Sequence, residues 1–192
     1  MSGHAEETRE AILRCALAAL ARSGFEGTTL QGVAAAAGLS KGAVTHHFAS
    51  KDDLLDAVIL RCAEVVAGEL ASAAESEPSP GDRLRALAHA LRAAWSDDRD
   101  EGRVMAMVAA AALYDPRVRV VSEGAFAAIS SVLSRAIGDA AASAGLRPRV
   151  SVDAVARWLL GAGVGARLLQ GGPEGGDDDA ALTLALYAFF EL

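Results

Sequence analysis

The sequence predicts an all-α protein: an N-terminal three-helix helix-turn-helix unit followed by a C-terminal helical bundle, about nine helices in all. Three observations carry that expectation. Apolar residues recur three and four positions apart through nearly every segment, no run alternates with a period of two, and Ser, Thr, Gly and Pro fall where helices would begin and end. At 52% apolar over 192 residues, the chain can bury a substantial core.

The first helix is expected over about Thr8 to Arg22, with Ile12, Leu13, Ala16, Leu17 and Leu20 on one face, stopping at Ser23-Gly24. Thr28 paired with Gln31 reads as a capping box opening a short second helix, which Gly38 ends. Ser40 can cap a third short helix through His47, and Ser50 to Asp53 looks like the N-terminus of a long fourth helix reaching about Glu75. The segment ESEPSPGD, Glu75 to Asp82, is the best internal boundary, with Ser79 as cap and Pro80 acceptable at the first helical position. Further helices are expected at about Pro80 to Ser96, Glu101 to Leu113, Pro116 to Ala144, Ser151 to Gln170 and Asp177 to Leu192. Asp115-Pro116, Gly145 to Pro148 and Gly171 to Gly176 separate them.

Net charge is −7, which taken alone argues against a polyanionic partner. Residues 1–51 carry five cationic side chains (Arg9, Arg14, Arg22, Lys41, Lys51) against four carboxylates (Glu6, Glu7, Glu10, Glu26), and Asp52 and Asp53 immediately reverse that surplus. Any nucleic-acid argument therefore rests on where charges sit within a motif. The longest uncharged stretch, Gly27 to Ser40, is short of the roughly 20 residues of a membrane-spanning helix, and the opening residues do not read as a signal peptide. No membrane partner is expected, and the expected location is cytoplasmic. Cys15 and Cys62 are too few for a disulfide framework and lack metal-ligand spacing, so both read as small buried hydrophobes.

Counted from Leu30, a helix-turn-helix has its steric requirements met at each position. Ala34 is small where two helices cross, Gly38 permits a positive φ in the turn, and Val33, Ala37, Leu39 and Val44 close the core between the helices. In such a unit the second helix enters the DNA major groove while flanking groups hold phosphates. Lys41 and Lys51 are the only lysines among eighteen cationic residues, and both fall around this motif. Lys51 stands at the first turn of a long helix, where the macrodipole disfavours a cation by about 0.3–1 kcal/mol. A phosphate bridging its ammonium and the free backbone N–H groups would reverse that penalty. On the third helix, Lys41 is the candidate reader of a guanine edge and Thr45 of a thymine methyl or a phosphate, with Gly42 and Ala43 keeping the backbone close to the groove floor.

The stretch TTLQGVAAAAGLSKGAVTHHFASKDDLLDAV resembles the DNA-binding segment of the TetR family of bacterial transcriptional regulators. The resemblance covers about Thr8 to Val58 and rests on the Thr-opened helix, the Gly turn, the Ser cap, the His-Phe unit and the terminal Ser-Lys. It implies that Thr29, Ser40, Thr45, His46, His47 and Lys51 approach the DNA backbone while Lys41, Gly42 and Ala43 face bases. Thr45 stands where the family usually has Tyr, so the usual aromatic contact is absent. Phe48 reads as core. His47 suits either half-buried packing or a phosphate contact, and adjacent histidines on one helix point apart, so the pair carries no metal-site expectation.

The resemblance also implies that residues 51–192 form a ligand-binding and dimerisation domain behind a DNA-binding domain of residues 1–50, and that a small-molecule effector releases DNA. Candidate pocket residues are Cys62, His89, Trp95, Arg103, Met105, Met107, Leu113, Phe126 and Trp158, types that serve a core as readily as a pocket. Arg92, Arg103 or Arg157, if buried, would point to an anionic ligand. Gly161 and Gly165 lie on one helical face and suit close helix approach, and Leu182, Leu186 and Phe189 give the last helix more apolar circumference than one protomer uses. Together these form the candidate interface of a homodimer, whose two-fold axis predicts a pseudo-palindromic double-stranded DNA operator. The loop GGPEGGDDD, Gly171 to Asp179, lacks a convincing metal-ligand pattern. No cofactor or metal is expected. Nor is an enzyme: no nucleophile stands with a base and an orienting group, and no glycine loop is shaped for phosphate. The alternative is a helical small-molecule-binding dimer or enzyme without DNA binding, against which the intact turn and Lys51 both speak.

Overall fold

Side-chain caps begin most of the helices in the computed structural model, which describes residues 2–77, 79–96, 98–169 and 188–191. The described helices are α1 (Ser2–Gly27), α2 (Leu30–Ala36), α3 (Lys41–His47), α4 (Lys51–Glu75), α5 (Pro80–Ala94), α6 (Asp100–Ala111), α7 (Pro116–Ser143) and α8 (Val152–Leu168). Ser40 Oγ accepts from Ala43 N at 3.1 Å, Ser50 Oγ from Asp53 N at 3.0 Å, Ser79 Oγ from Asp82 N at 3.3 Å and Ser151 Oγ from Ala154 N at 3.2 Å. Asp115 caps α7 by accepting from Arg117 N at 2.8 Å. Each such cap contributes about 1 kcal/mol.

Two local expectations are corrected. The capping box Thr28 to Gln31 does not form; Thr29 is the N-cap of α2 and accepts from Gly32 N at 3.0 Å. Thr28 is buried and donates its hydroxyl to Gly24 O at 2.8 Å. The reason lies one turn earlier, where Gly24 leaves helical geometry at φ 68°, interrupting α1, and the Thr28 backbone N–H and hydroxyl both bond its carbonyl. The second correction concerns the C-terminus. The helix expected over Asp177 to Leu192 lies mostly outside the described residues, but it does not reach the end: strand β2 (Phe190–Glu191) pairs antiparallel with β1 (Arg147–Pro148). Arg149 N donates to Phe189 O at 2.8 Å, and the extended backbone lets Phe190 bury its ring in the core.

The central contact is α4 against α7. α4 buries Leu54, Leu55, Val58, Ile59, Cys62, Val66 and Leu70, and α7 buries Val118, Ala125, Ile129, Leu133 and Ile137. Fully burying a Leu or Ile side chain stabilises by about 1.5–3 kcal/mol, so this pair anchors the bundle. α7 is long and apolar enough by composition to cross a membrane, yet here it serves as the packing partner of α4. The first turns of α4 also cover the three-helix unit, whose core is Ile12, Leu13, Ala16, Leu20, Val33, Ala34, Val44 and Phe48. One continuous apolar cluster therefore runs from α1 into the bundle.

Of the three glycines in α8, Gly163 is the one at a close approach. A Cβ there would stand 2.3 Å from Trp95 Nε1, so the indole lies directly on the helix backbone. The Trp95 N–H is buried without a hydrogen-bond partner among the described residues, which costs about 1–3 kcal/mol and is offset by burying the ring. A Cβ at Gly161 or Gly165 would meet no atom within 4 Å among the described residues.

Candidate nucleic-acid interface

Between α2 and α3 the chain makes a Schellman turn: Leu39 N donates to Ala34 O at 2.9 Å and Gly38 N to Ala35 O at 3.2 Å, with Gly38 at φ 68°. The turn and buried Val33, Ala34 and Val44 fix α3 against α2. What remains outward on α3 is Lys41, Gly42, Thr45 and His46, all exposed, with Ala43 and His47 half-buried. Thr29 and Ser40 are exposed beside them even while capping their helices. The Thr45 hydroxyl donates to Gly42 O at 3.0 Å, a local bond that holds its rotamer. The rings of His46 and His47 meet edge-on with centroids 5.5 Å apart. Phe48 is buried, and the Arg9 guanidinium lies 5.3 Å from its ring centroid.

The two lysines differ from several of the arginines in their pairing. Arg61, Arg99, Arg103 and Arg117 each lie within 4.0 Å of a carboxylate, whereas neither Lys41 nor Lys51 has a carboxylate partner among the described residues. The acids following Lys51 are otherwise engaged. Asp53 accepts from the Ser50 hydroxyl at 2.7 Å, and Asp52 faces Arg117 at 3.5 Å. Lys51 thus stands half-buried at the first turn of α4, next to backbone N–H groups that the helix itself leaves without partners.

A second feature lies in the bundle: a groove of about 950 Å³ between α7 and α8, open on one side. Phe126, Ala127, Leu160 and Val164 supply its apolar wall; Ser130, Ser131, Ser134, Glu123, Arg135, Asp153 and Arg157 supply polar groups. Of the pocket candidates named from sequence, Phe126 alone lines it. Trp95 and Met105 are buried in the core and Met107 is half-buried, while His89, Arg103, Leu113 and Trp158 are exposed elsewhere. Cys62 borders a separate cavity of about 250 Å³ with Leu13, Leu17 and Val58. Burial pushes the Cys62 thiol up to about 12, with Glu101 adding to the shift, so it stays protonated and unreactive. Of the arginines considered as buried anion sites, Arg92 is half-buried and Arg103 and Arg157 are exposed, Arg157 on the groove wall. A sequence signal for the groove existed: Glu123, Ala127, Ser130, Ser131 and Ser134 are small or polar at one-face spacing in an otherwise apolar helix.

Three comparisons bear on this arrangement. Residues 12–58 match the profile of bacterial regulatory proteins of the tetR family. The HTH-type transcriptional regulator BetI of Burkholderia thailandensis is 30% identical over 194 residues, covering 95% of this chain and 92% of its own. The HTH-type transcriptional repressor KstR2 of Mycobacterium tuberculosis is 29% identical over 87 residues, a match spanning 45% of this chain and 44% of the repressor. Among solved structures, a Mesorhizobium loti chain assigned to the TetR family of transcriptional regulators superposes with a TM-score of 0.81 over 98% of both chains at 20% identity, a likeness of fold.

Proposed function

The chain belongs to the tetR family of bacterial regulatory proteins, and from that premise we propose that it is a dimeric, ligand-released repressor binding a pseudo-palindromic operator. The observation that carries the DNA contact is the outward face of α3 and the start of α4, where Lys41 and Lys51 stand without carboxylate partners among the described residues. Residues 1–50 bind DNA together with Lys51 at the start of the following domain: Lys41, Gly42 and Ala43 face bases, while Thr29, Ser40, Thr45, His46, His47 and Lys51 meet the backbone. Residues 51–192 bind the effector and dimerise, and the protein works in the cytoplasm.

Dimerisation uses the outward stripe of α8. Trp158, Ala162, Gly165 and Leu169 are separated by four, three and four residues, and Trp158 and Leu169 are 52% and 83% exposed. The Trp158 ring meets Phe189 edge-on at 5.5 Å, which joins the end of the chain to the same stripe. Gly165 leaves room for a partner helix, while Gly161, the other glycine of the expected interface, lines the groove between α7 and α8. Leu182 and Leu186, the other interface candidates, lie outside the described residues.

The deciding experiment is duplex binding by the purified protein at inverted repeats beside its own gene, titrated against salt. Binding whose logarithm falls linearly with the logarithm of salt concentration, at two recognition helices per site, supports the reading. Absence of salt-dependent binding to any such duplex would sink it.

A further inference from the structure

We propose that the groove between α7 and α8 binds an amphipathic monocarboxylate, its head group held by Arg135 and Arg157 and its hydrocarbon body by Phe126, Leu160 and Val164. The inference deepens the effector reading above and rests on it for its regulatory meaning.

Among the described residues Arg135 and Arg157 make no ion pair or hydrogen bond, although both line one groove. Asp153, four positions before Arg157, lines the same end of the groove and accepts the Ser134 hydroxyl across the two helices, so two guanidiniums stand there against one carboxylate, a net positive charge. That bond also shows that the C-terminal half of α7 runs beside the N-terminus of α8. The positive end of the α8 macrodipole therefore lies at the same end of the groove as the two guanidinium groups. Glu123, the remaining carboxylate of the wall, stands twelve positions before Arg135 on α7, about 18 Å away at 1.5 Å per residue.

Two guanidiniums without partners among the described residues, set against Asp153 at one end, an apolar wall of Phe126, Ala127, Leu160 and Val164 along the middle, and Glu123 at the far end describe a polarised slot. An anion enters at the guanidinium end, where forked N–H donors match a carboxylate's two oxygens. A cationic head group would meet two like charges there, and a second anionic group at the tail would meet Glu123. The occupant consistent with both ends is a single carboxylate on an apolar body. The volume, about 950 Å³, lies within the range of small-molecule sites, roughly 300–1,000 Å³.

The test is calorimetric titration of the full-length protein with decanoate, decylamine and decanol, each below its aggregation threshold. Decanoate is expected to bind at least tenfold more tightly than either analogue. The double variant Arg135→Gln/Arg157→Gln should weaken decanoate at least tenfold and leave decanol unchanged, with its melting temperature and its sedimentation as a dimer unaltered. Equal binding of the three probes, no binding of decanoate, or decanoate affinity unchanged in the double variant overturns the proposal. So does a variant that falls apart into monomers, which would assign the groove to a second copy of the chain. Titration needs no DNA, so the two readings fail separately. Decanoate binding by a protein that ignores DNA removes the regulator and keeps the groove; operator binding without decanoate binding does the reverse.

Discussion

Arg117 places Nη1 2.7 Å from Asp56 Oδ1 and Nη2 3.5 Å from Asp52 Oδ1, joining the second residue of α7 to the first two turns of α4 across 61 positions of sequence. Lys51, the proposed phosphate anchor, precedes Asp52 directly. The helix that carries Arg117 also forms one wall of the groove, from Glu123 to Arg135. Arg117 thus ties the start of α7 to the first turns of α4, beside Lys51.

Because all three groups are partly exposed, the clamp's own contribution is modest, about 1 kcal/mol or less. Arg117→Gln and Asp56→Asn should each lower unfolding free energy in urea by that amount, and the double variant by no more than the larger single loss. Additive losses would mean that the two residues do not interact in solution.

Lys51→Ala is expected to weaken duplex binding evenly across sequences and to reduce the salt slope by about 1, the signature of one lost phosphate contact. Lys41→Ala should instead relax base preference within the half-site. Binding isotherms on a small panel of altered operators, at several salt concentrations, separate the two; a Lys51→Ala variant with an unchanged slope would place Lys51 away from phosphate.

Gly163→Ala should destabilise the protomer by about 1–3 kcal/mol, because the new Cβ meets the buried Trp95 indole. Gly165→Ala meets nothing among the described residues and gains helix propensity of about 1 kcal/mol. If a partner helix packs closely there, Gly165→Ala will raise the dimer dissociation constant in sedimentation while the melting temperature of the protomer holds or rises.

The Cys62 thiol gives a pH test. Its folded value, about 12, stands above the ordinary 9.0, so the protonated form is favoured by folding. The contribution is fully present below pH 9 and is lost as pH rises from 9 towards 12, at no more than about 1.4 kcal/mol per pH unit. Wild-type protein should lose stability over that window more steeply than Cys62→Ala, and the native thiol should resist alkylation at neutral pH. Equal slopes in the two proteins would show that Cys62 is not buried as described.

Many of the helix beginnings were legible because a cap and its N–H partner lie within three residues. Ser40, Ser50 and Ser79 act where the sequence placed them, and Gly38 turns the chain for the reason its position suggested. The choice between Thr28 and Thr29 was not legible. Both can cap; what separates them is that Gly24 breaks α1 and draws Thr28 inward. The groove was harder still. Its arginines are two of sixteen, and nothing in their spacing says which ones the fold brings to an apolar wall.

The all-α class, the three-helix unit and the charge placement around α3 follow from the residue order alone, since helix periodicity, caps and turns depend on neighbours within about four positions. The pairing of Arg117 with Asp52 and Asp56, the seat of Trp95 on Gly163 and the departure of Phe190 from helix depend on segments distant in sequence. Side-chain packing and burial select those contacts from many that the same local signals would permit, and that selection exists only once α4, α7 and α8 have come together.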